Sequence, residues 1–537
     1  MAEQRLVGKA VSGGHAAGPL AIVSNLVGGS RRGGDARAEA DALRTAVSAG
    51  IEQLSELAAR AEADGAEIIA FQVAMLEDDA LAAPAFVAIE GGASADAAWR
   101  SALDREIAGY EAAQDEYFRA RASDLADIRD RVLDALSGAA AQAPAPAGAI
   151  LIGEDLTPSR FLSTDWSRGG GIALTRGSAS SHVATLARAR GVPMIVGVPI
   201  ELSGVGAVSE AWIDGESAIL WLDPAPATRK TLAALEGAAG KMRAEAHELR
   251  LRPAITADGE AIAIHVNIAD LSETENIEIA GFDGVGLVRT EFLFGRSARL
   301  PSEEEQYLAY RRLAEWAHGK PVTIRTLDAG ADKPIPGLTL AHENNPFLGV
   351  RGIRLSLARP DVFRIQLRAL CRAAAHGDIE IMLPMVSIPA ELERARGLLR
   401  EELAGLRAAG VACREPKLGI MVEVPAAAIA IDRFDADFYS IGSNDLTQYV
   451  MAAARDSDAV AELNDPVDPA MLRLIGQVAT HAAATGRKAS LCGDAAAEPK
   501  FVAALLRAGL RALSIAPPAL GRVKAAIAQV DLSRGAP

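Results

Sequence analysis

From Ile255 onward, strand-like apolar runs alternate with helical stretches, and charged side chains stand where the runs stop. The runs are Ile262–Ile268, Gly284–Thr290, Val322–Asp328, Ile379–Val386, Leu418–Val424, Asp437–Ser443 and Ala489–Cys492, with an eighth near Phe347–Leu355. Such alternation over about 280 residues predicts a parallel (β/α)8 barrel. A barrel gathers its strand C-termini into one mouth, where its chemistry takes place. Arg289 closes Gly-Val-Gly-Leu-Val-Arg-Thr-Glu, and Arg325 and Asp328 close Val-Thr-Ile-Arg-Thr-Leu-Asp. Glu423 ends Gly-Ile-Met-Val-Glu, Asn444 and Asp445 follow Tyr-Ser-Ile-Gly-Ser, and Cys492 and Asp494 end Ala-Ser-Leu-Cys-Gly-Asp. Arginines with an asparagine suit a phosphate and a carboxylate. Two carboxylates, Glu423 and Asp445, suit a hard cation that also binds substrate oxygens. A purely structural ring of ion pairs would use the same charges. Against it, an unpaired amide, a thiol and so many charges at strand ends are costly without a ligand.

The region before the barrel reads differently. Residues 1–25 hold short β-type runs. From Asp35 to about Leu136 the apolar residues fall at helical spacing, as at Leu125, Ile128, Val132 and Leu136. Pro84 and Gly91-Gly92 supply breaks, so several antiparallel helices are expected. Between Asp35 and Asp134 there are 22 acidic and 9 basic side chains, a balance of −13 out of −15 for the whole chain. A solvated helical surface accounts for that charge; a docking face for a cationic partner does so more specifically. Residues 141–148, rich in Ala and Pro, read as a linker. Short apolar runs up to Leu222 then suggest a compact α/β domain, and Lys230–Arg252 a charged helical connector.

A second candidate site lies in that α/β segment, at Gly177-Ser-Ala-Ser-Ser-His182. The serines mark a helix start and Gly191 a stop, which puts His182 in the first turn. Free amides and the helix dipole there favour an anion and a neutral imidazole, as a phosphoryl-accepting nucleophile requires. A lone histidine is more often structural. There is no Walker A loop, no complete GxGxxG, no HExxH and no GxSxG. Three cysteines exclude a disulfide framework, and the acidic balance argues against nucleic-acid or anionic-membrane binding. With no signal-type or spanning apolar run, a cytoplasmic protein is expected.

These residues resemble a known family. Asp155-Leu-Thr-Pro-Ser159, Ser181-His182, Gly284–Phe294, Asn345-Pro-Phe-Leu-Gly349 with Arg351, Ile381–Met385, Gly442–Tyr449 and Cys492-Gly493 occur in the same order in phosphoenolpyruvate–protein phosphotransferase, Enzyme I of the bacterial sugar phosphotransferase system. The resemblance implies a multidomain α/β protein. Its parts would be N-terminal strands (1–30), a four-helix module that docks the carrier HPr (31–140), a swivelling phosphohistidine domain (141–225), a helical linker (226–252) and a (β/α)8 barrel that binds phosphoenolpyruvate (253–537). It implies autophosphorylation of His182, transfer to HPr, and release of pyruvate for sugar uptake. The alternative is a nitrogen or metabolic branch with a different small carrier. By residue match, Arg289, Arg325, Asn444, Asp445 and Arg455 would hold phosphoenolpyruvate, with Lys333 and Arg351 nearby. Glu423 and Asp445 would hold Mg²⁺, and Cys492 would protonate the enolate. A homodimer through the barrel is implied as well. Departures from the family pattern are Ser178, Ala331, Val424, Ala454 and Asp494. Two other readings are a phosphoenolpyruvate–pyruvate dikinase or synthase, which needs a large nucleotide-binding domain, and a regulatory protein with a dead site.

Overall fold

A computed structural model of the protein describes residues 3–23, 34–60, 63–111, 116–138, 145–178, 181–294, 299–330, 333, 335, 337–340, 343–455 and 457–533. Residues 141–144 of the 141–148 linker, Ala179-Ser180, and Ala331 with Asp332 therefore lie outside the described residues. The chain forms two compact units, 1–240 and 241–537.

The first unit holds an eight-stranded sheet and a helical module. The strands are β1 (Gln4–Val7), β2 (Lys9–Ser12), β3 (His15–Val23), β4 (Ile150–Gly153), β5 (Gly171–Leu174), β6 (Met194–Val196), β7 (Glu210–Asp214) and β8 (Ile219–Leu222), in the order β1-β8-β7-β3-β4-β5-β6-β2. Strands β3 to β6 run parallel, and the outer pairs are antiparallel. Because successive side chains face opposite ways, β4 to β6 need no polar positions when both faces are covered. Leu151, Ile172, Leu174 and Met194 pack on one face, and Ile150, Ile152, Ala173 and Ile195 on the other.

Between β3 and β4 the chain forms α1 (Ala36–Arg60), α2 (Ala63–Glu77), α3 (Asp79–Glu90), α4 (Ala95–Glu111) and α5 (Glu116–Ser137). The described residues thus hold five helical segments where the resemblance implies four. Asp78 caps α3 by accepting from the Ala80 amide, which separates α2 from α3. Pro84, expected to break a helix, lies inside α3; the break after it comes at Gly91. The stripe Leu125, Ile128, Val132 and Leu136 is buried against Leu43, Leu54 and Trp99, as its spacing predicts. The sheet's own helices are α6 (Pro158–Ser163) and α7 (His182–Arg190), and α8 (Pro226–Leu249) follows the sheet.

The second unit is the barrel. A short β9 (Ala254–Ile255) precedes β10 (Ala261–Ile268), β11 (Gly284–Val288), β12 (Val322–Arg325), β13 (Ile379–Leu383), β14 (Lys417–Val422), β15 (Phe438–Ile441), β16 (Lys488–Leu491) and β17 (Ala512–Ile515). Strands β10 to β17 pair in parallel and in order, and β10 pairs with both β11 and β17, so the sheet closes. The eighth strand is Ala512–Ile515, not Phe347–Leu355. The latter stretch holds a 3-10 turn at Pro346–Leu348 and the start of a helix at Ile353–Ala358. Leu355 and Val350 pack with Leu327 and Leu338 while Leu348 is exposed, and short apolar runs alone do not tell a strand from such a turn and helix start.

Candidate active site

Strand ends bring the barrel's charged residues together. Arg325, the last residue of β12, is buried; its guanidinium donates to Glu291 Oε1 at 2.8 Å and lies 3.1 Å from Asp328 Oδ2. Its Nε has no hydrogen-bond partner, so a buried donor is left for an acceptor at the mouth. Arg351 is 1% exposed and crosses to Asp328 Oδ2 at 3.0 Å and Asp445 Oδ1 at 3.3 Å. It is a cross-brace beneath the mouth rather than a side chain facing solvent. Lys333 Nζ stands 4.0 Å from Asp328, and Arg455 stands 3.8 Å from Asp445 and stacks over Phe347. Arg289 is exposed just past β11, and its charge acts on the Cys492 thiol. Asn444 both donates to Asp494 Oδ2 at 2.9 Å and accepts from the Asp494 amide at 3.0 Å. Asp494, a departure from the family pattern, therefore orients the amide. Val424 caps the helix Pro425–Ile429 without a side-chain hydrogen bond, which a threonine there could supply.

Glu423 and Asp445 follow adjacent strands, β14 and β15. Glu423 is 1% exposed and accepts from the Met385 amide at 2.6 Å. Met385 holds a left-handed backbone (φ 58°), a strained conformation that aims its N–H at the carboxylate. Burial, reinforced by Asp328 and Asp445, pushes the Glu423 carboxyl up to about 8. Only a nearby cation would keep it ionised at neutral pH. Gly442 leaves room for it, since a Cβ there would lie 2.9 Å from Glu423 Oε2. Two hard-oxygen donors on adjacent strand ends, one of them a buried carboxyl raised by its acidic neighbours, fit a divalent cation. Among the described residues no group of three or more His, Cys, Asp or Glu forms a metal cage, so substrate oxygens would complete the set.

Cys492 ends β16 and is packed with Leu287, Met382, Met421 and Phe438 inside the barrel. Burial, with Glu423 adding to it, pushes its thiol up to about 11. It stays protonated at neutral pH, as a proton donor must. The sequence reading gave no role to Glu291, which ties Arg325 to the Asp328 amide, or to the Met385 amide. Glu291 carries a usable signal, two residues beyond Arg289 at the end of a strand.

In the first unit, Ser181 caps α7 by accepting from the Ala184 amide at 3.2 Å, and Gly191 ends it in the left-handed conformation. His182 opens the helix, with its side chain 26% exposed, and its Nδ1 lies 3.1 Å from Asp124 Oδ1. Asp124 comes from α5 and its side chain is 1% exposed. One helical turn on, Asp127 accepts from the Ser159 amide at 3.0 Å and its hydroxyl at 2.6 Å. Ser123 bonds Asp155, whose carboxyl is raised by burial. The Asp155–Ser159 motif thus docks on α5. Thr157 caps α6, with Pro158 opening it. The sequence reading gave Asp124 no catalytic role, only a place in an acidic stretch, Asp124–Asp130, that resembles the family's helical module. Asp124 stands one position before Leu125, and Asp127 one before Ile128, so both acids track the apolar stripe at its own period.

The chain also matches known protein families over most of its length. The PEP-binding domain of PEP-utilising enzymes matches residues 243–532, more than half of the chain, and its N-terminal and mobile domains match 7–121 and 145–218. The chain belongs to the PEP-utilising enzymes. Phosphoenolpyruvate-protein phosphotransferase of Haloferax volcanii is 44% identical over 421 residues, covering 76% of this chain and 73% of the relative. The protein of the same name from Geobacillus stearothermophilus is 36% identical over 501 residues, 91% of this chain and 87% of the relative. A solved N-terminal domain of Enzyme 1 - Nitrogen is 22% identical over 43% of this chain and 98% of that one, with a TM-score of 0.32, too low to carry any argument. No helix among the described residues is long and apolar enough to cross a membrane.

Proposed function

We propose that the protein is a phosphoenolpyruvate-protein phosphotransferase that phosphorylates its own His182 and passes the phosphoryl group to an HPr-type carrier, releasing pyruvate. The observation that carries this reading is the barrel mouth. It combines a buried arginine with an unpartnered Nε, a buried carboxyl at Glu423 pushed up to about 8 beside Asp445, and a thiol pushed up to about 11. Phosphoryl transfer asks mainly for positioning and charge neutralisation. Arg289, Arg325 and Arg455 bind the phosphate and carboxylate of phosphoenolpyruvate, and Asn444, held by Asp494, orients it. Glu423 and Asp445 would hold Mg²⁺, which would supply electrostatic stabilisation of the phosphoryl oxygens. Arg351 braces Asp328 and Asp445 beneath the ligand, and Lys333 stands near it beside Asp328. The His182 lone pair forms the N–P bond as the P–O bond breaks with its electrons on the enolate oxygen. The Cys492 thiol then gives a proton to the enolate carbon, which yields pyruvate. The reading requires the imidazole, carried by the first compact unit, to meet the mouth formed by the second during transfer. The acidic helical module would attract a basic carrier face, and the resemblance extends the reading to sugar uptake and to a homodimer through the barrel.

The test is incubation with Mg²⁺ and phosphoenolpyruvate, followed by assay of acid-labile protein phosphate and of pyruvate. Both are expected from the wild type, and neither from His182→Ala. Labelling by ATP without phosphoenolpyruvate would point to a dikinase instead, and carrier binding without pyruvate to a dead site.

A further inference from the structure

The helical module reaches into the chemistry itself. Asp124 is the one residue of α5 shown bonded to the His182 ring, and it is almost wholly buried while the ring is a quarter exposed. Its neighbours fix its position. Ser123 bonds Asp155, and Asp127 takes two hydrogen bonds from Ser159, so α5 is pinned to the histidine-bearing domain on either side of Asp124. Leu125 and Ile128 anchor the same turn in the helical core. The carboxylate is therefore held by packing rather than free to choose a rotamer.

We propose that Asp124 is the positioning residue that makes Nε2 of His182 the phosphoryl acceptor. This rests on the reading of His182 above. A carboxylate only accepts hydrogen bonds, so the proton of the 3.1 Å contact sits on Nδ1. In a neutral imidazole the other nitrogen then carries the lone pair, and it is the one turned away from α5. Transfer forms the Nε2–P bond while the donor P–O bond breaks. The proton stays on Nδ1, the ring takes up a formal positive charge, and Asp124 faces that charge. In onward transfer the acceptor's bond to phosphorus forms as the Nε2–P bond breaks, its electron pair returns to Nε2, and the ring is left as neutral imidazole with its Nδ1 proton in place. The arrangement follows the general logic by which a third group orients a reactive histidine. It also gives the helical module a part in reactivity beyond docking a carrier.

Two substitutions test this in the full-length protein. Asp124→Asn keeps the shape, but its amide can donate to Nδ1 and so favours the proton on Nε2. Asp124→Ala removes the contact. With ¹⁵N-histidine labelling, the His182 ring is assigned as the signal lost in His182→Ala. The wild type is expected to show a protonated Nδ1 and a bare Nε2, and Asp124→Asn the opposite tautomer. Pyruvate release from phosphoenolpyruvate in the presence of purified HPr should fall roughly 10- to 100-fold in both variants, as for outer partners of other functional imidazoles. An unchanged tautomer in Asp124→Asn, or an unchanged rate in it, overturns the proposal. Should Asp124→Ala unfold, the isosteric Asn variant decides alone. If His182→Ala still takes up phosphate, it is the His182 reading that fails, whatever Asp124 does.

Discussion

Arg351→Met removes the buried cation that ties Asp328 to Asp445 and leaves a side chain of similar length. The guanidinium makes four contacts, at 3.0 and 3.4 Å to Asp328 and 3.3 and 3.4 Å to Asp445. Breaking a buried ion network by taking out one partner costs about 3–5 kcal/mol, because the remaining charges stay buried. Asp328 keeps Arg325 at 3.1 Å, and Asp445 keeps Arg455 at 3.8 Å, so the lower end, about 3 kcal/mol, applies. For a unit the size of this barrel, with an unfolding entropy of about 0.6 kcal/mol/K, that loss lowers its calorimetric midpoint by roughly 5 °C at pH 7. The pH dependence has a definite sign. Burial raises the Asp328 carboxyl, but Arg325, Arg351 and Lys333 outweigh it and bring it down to about 2, below its ordinary 3.8. Its contribution is present above pH 3.8 and is lost as pH falls towards 2. The gap between wild type and variant should therefore narrow over that window. Calorimetry of both full-length proteins from pH 7 to pH 3, without added metal, makes the comparison. A midpoint shift under about 2 °C at pH 7, or a gap that widens in acid, would refute the brace.

Cys492→Ala should slow pyruvate formation on the order of 10²- to 10⁴-fold, as loss of a positioned proton donor does; an unchanged lactate-dehydrogenase-coupled rate rejects that role. Its thiol, at about 11, should resist iodoacetamide in the native protein at pH 8 while the more exposed Cys413 reacts, and peptide mapping that finds Cys492 modified first contradicts the burial argument. Gly493→Ala places a Cβ 1.9 Å from Ser443 Oγ and 2.8 Å from Asn444 Oδ1, so those groups must move; kcat/KM for phosphoenolpyruvate should drop at least about tenfold, and a wild-type value would mean that Asn444 is not oriented there. Burial raises the Asp127 carboxyl against the lowering effects of Arg131, Ser159 and Gln72, so its ionised form disfavours folding at neutral pH and this cost is relieved as pH falls. The stability of Asp127→Asn relative to wild type, from denaturant melts, should be more favourable at pH 7 than at pH 5; a pH-independent difference rejects it.

The barrel was legible because its strands are short apolar runs with charges at one end, a pattern set by backbone direction. Arg325, Glu423 and Cys492 sit at strand ends as that pattern requires. The eighth strand was misplaced because Ala512–Ile515 is only four residues long and ends without a charge, whereas Phe347–Leu355 is apolar for a loop's reasons. Arg351 read as a ligand neighbour, yet its burial depends on Asp328 and Asp445 arriving from two other strands, which no local pattern records. Asp124 was hidden by composition. Among 22 acids of one module the stretch Asp124–Asp130 resembles the family, but only helix phase picks out Asp124 within it. Pro84 shows the opposite error, a local breaker signal overridden by a helix packed on both sides of it.

The central claim is that the imidazole at position 182 carries the phosphoryl group. Brief exposure of the full-length protein to ³²P-labelled phosphoenolpyruvate, proteolysis at alkaline pH and peptide mapping test it most directly. Label confined to the peptide containing His182, and released from it by acid, is the predicted result. Label on any other peptide, or none while pyruvate still accumulates, would contradict it.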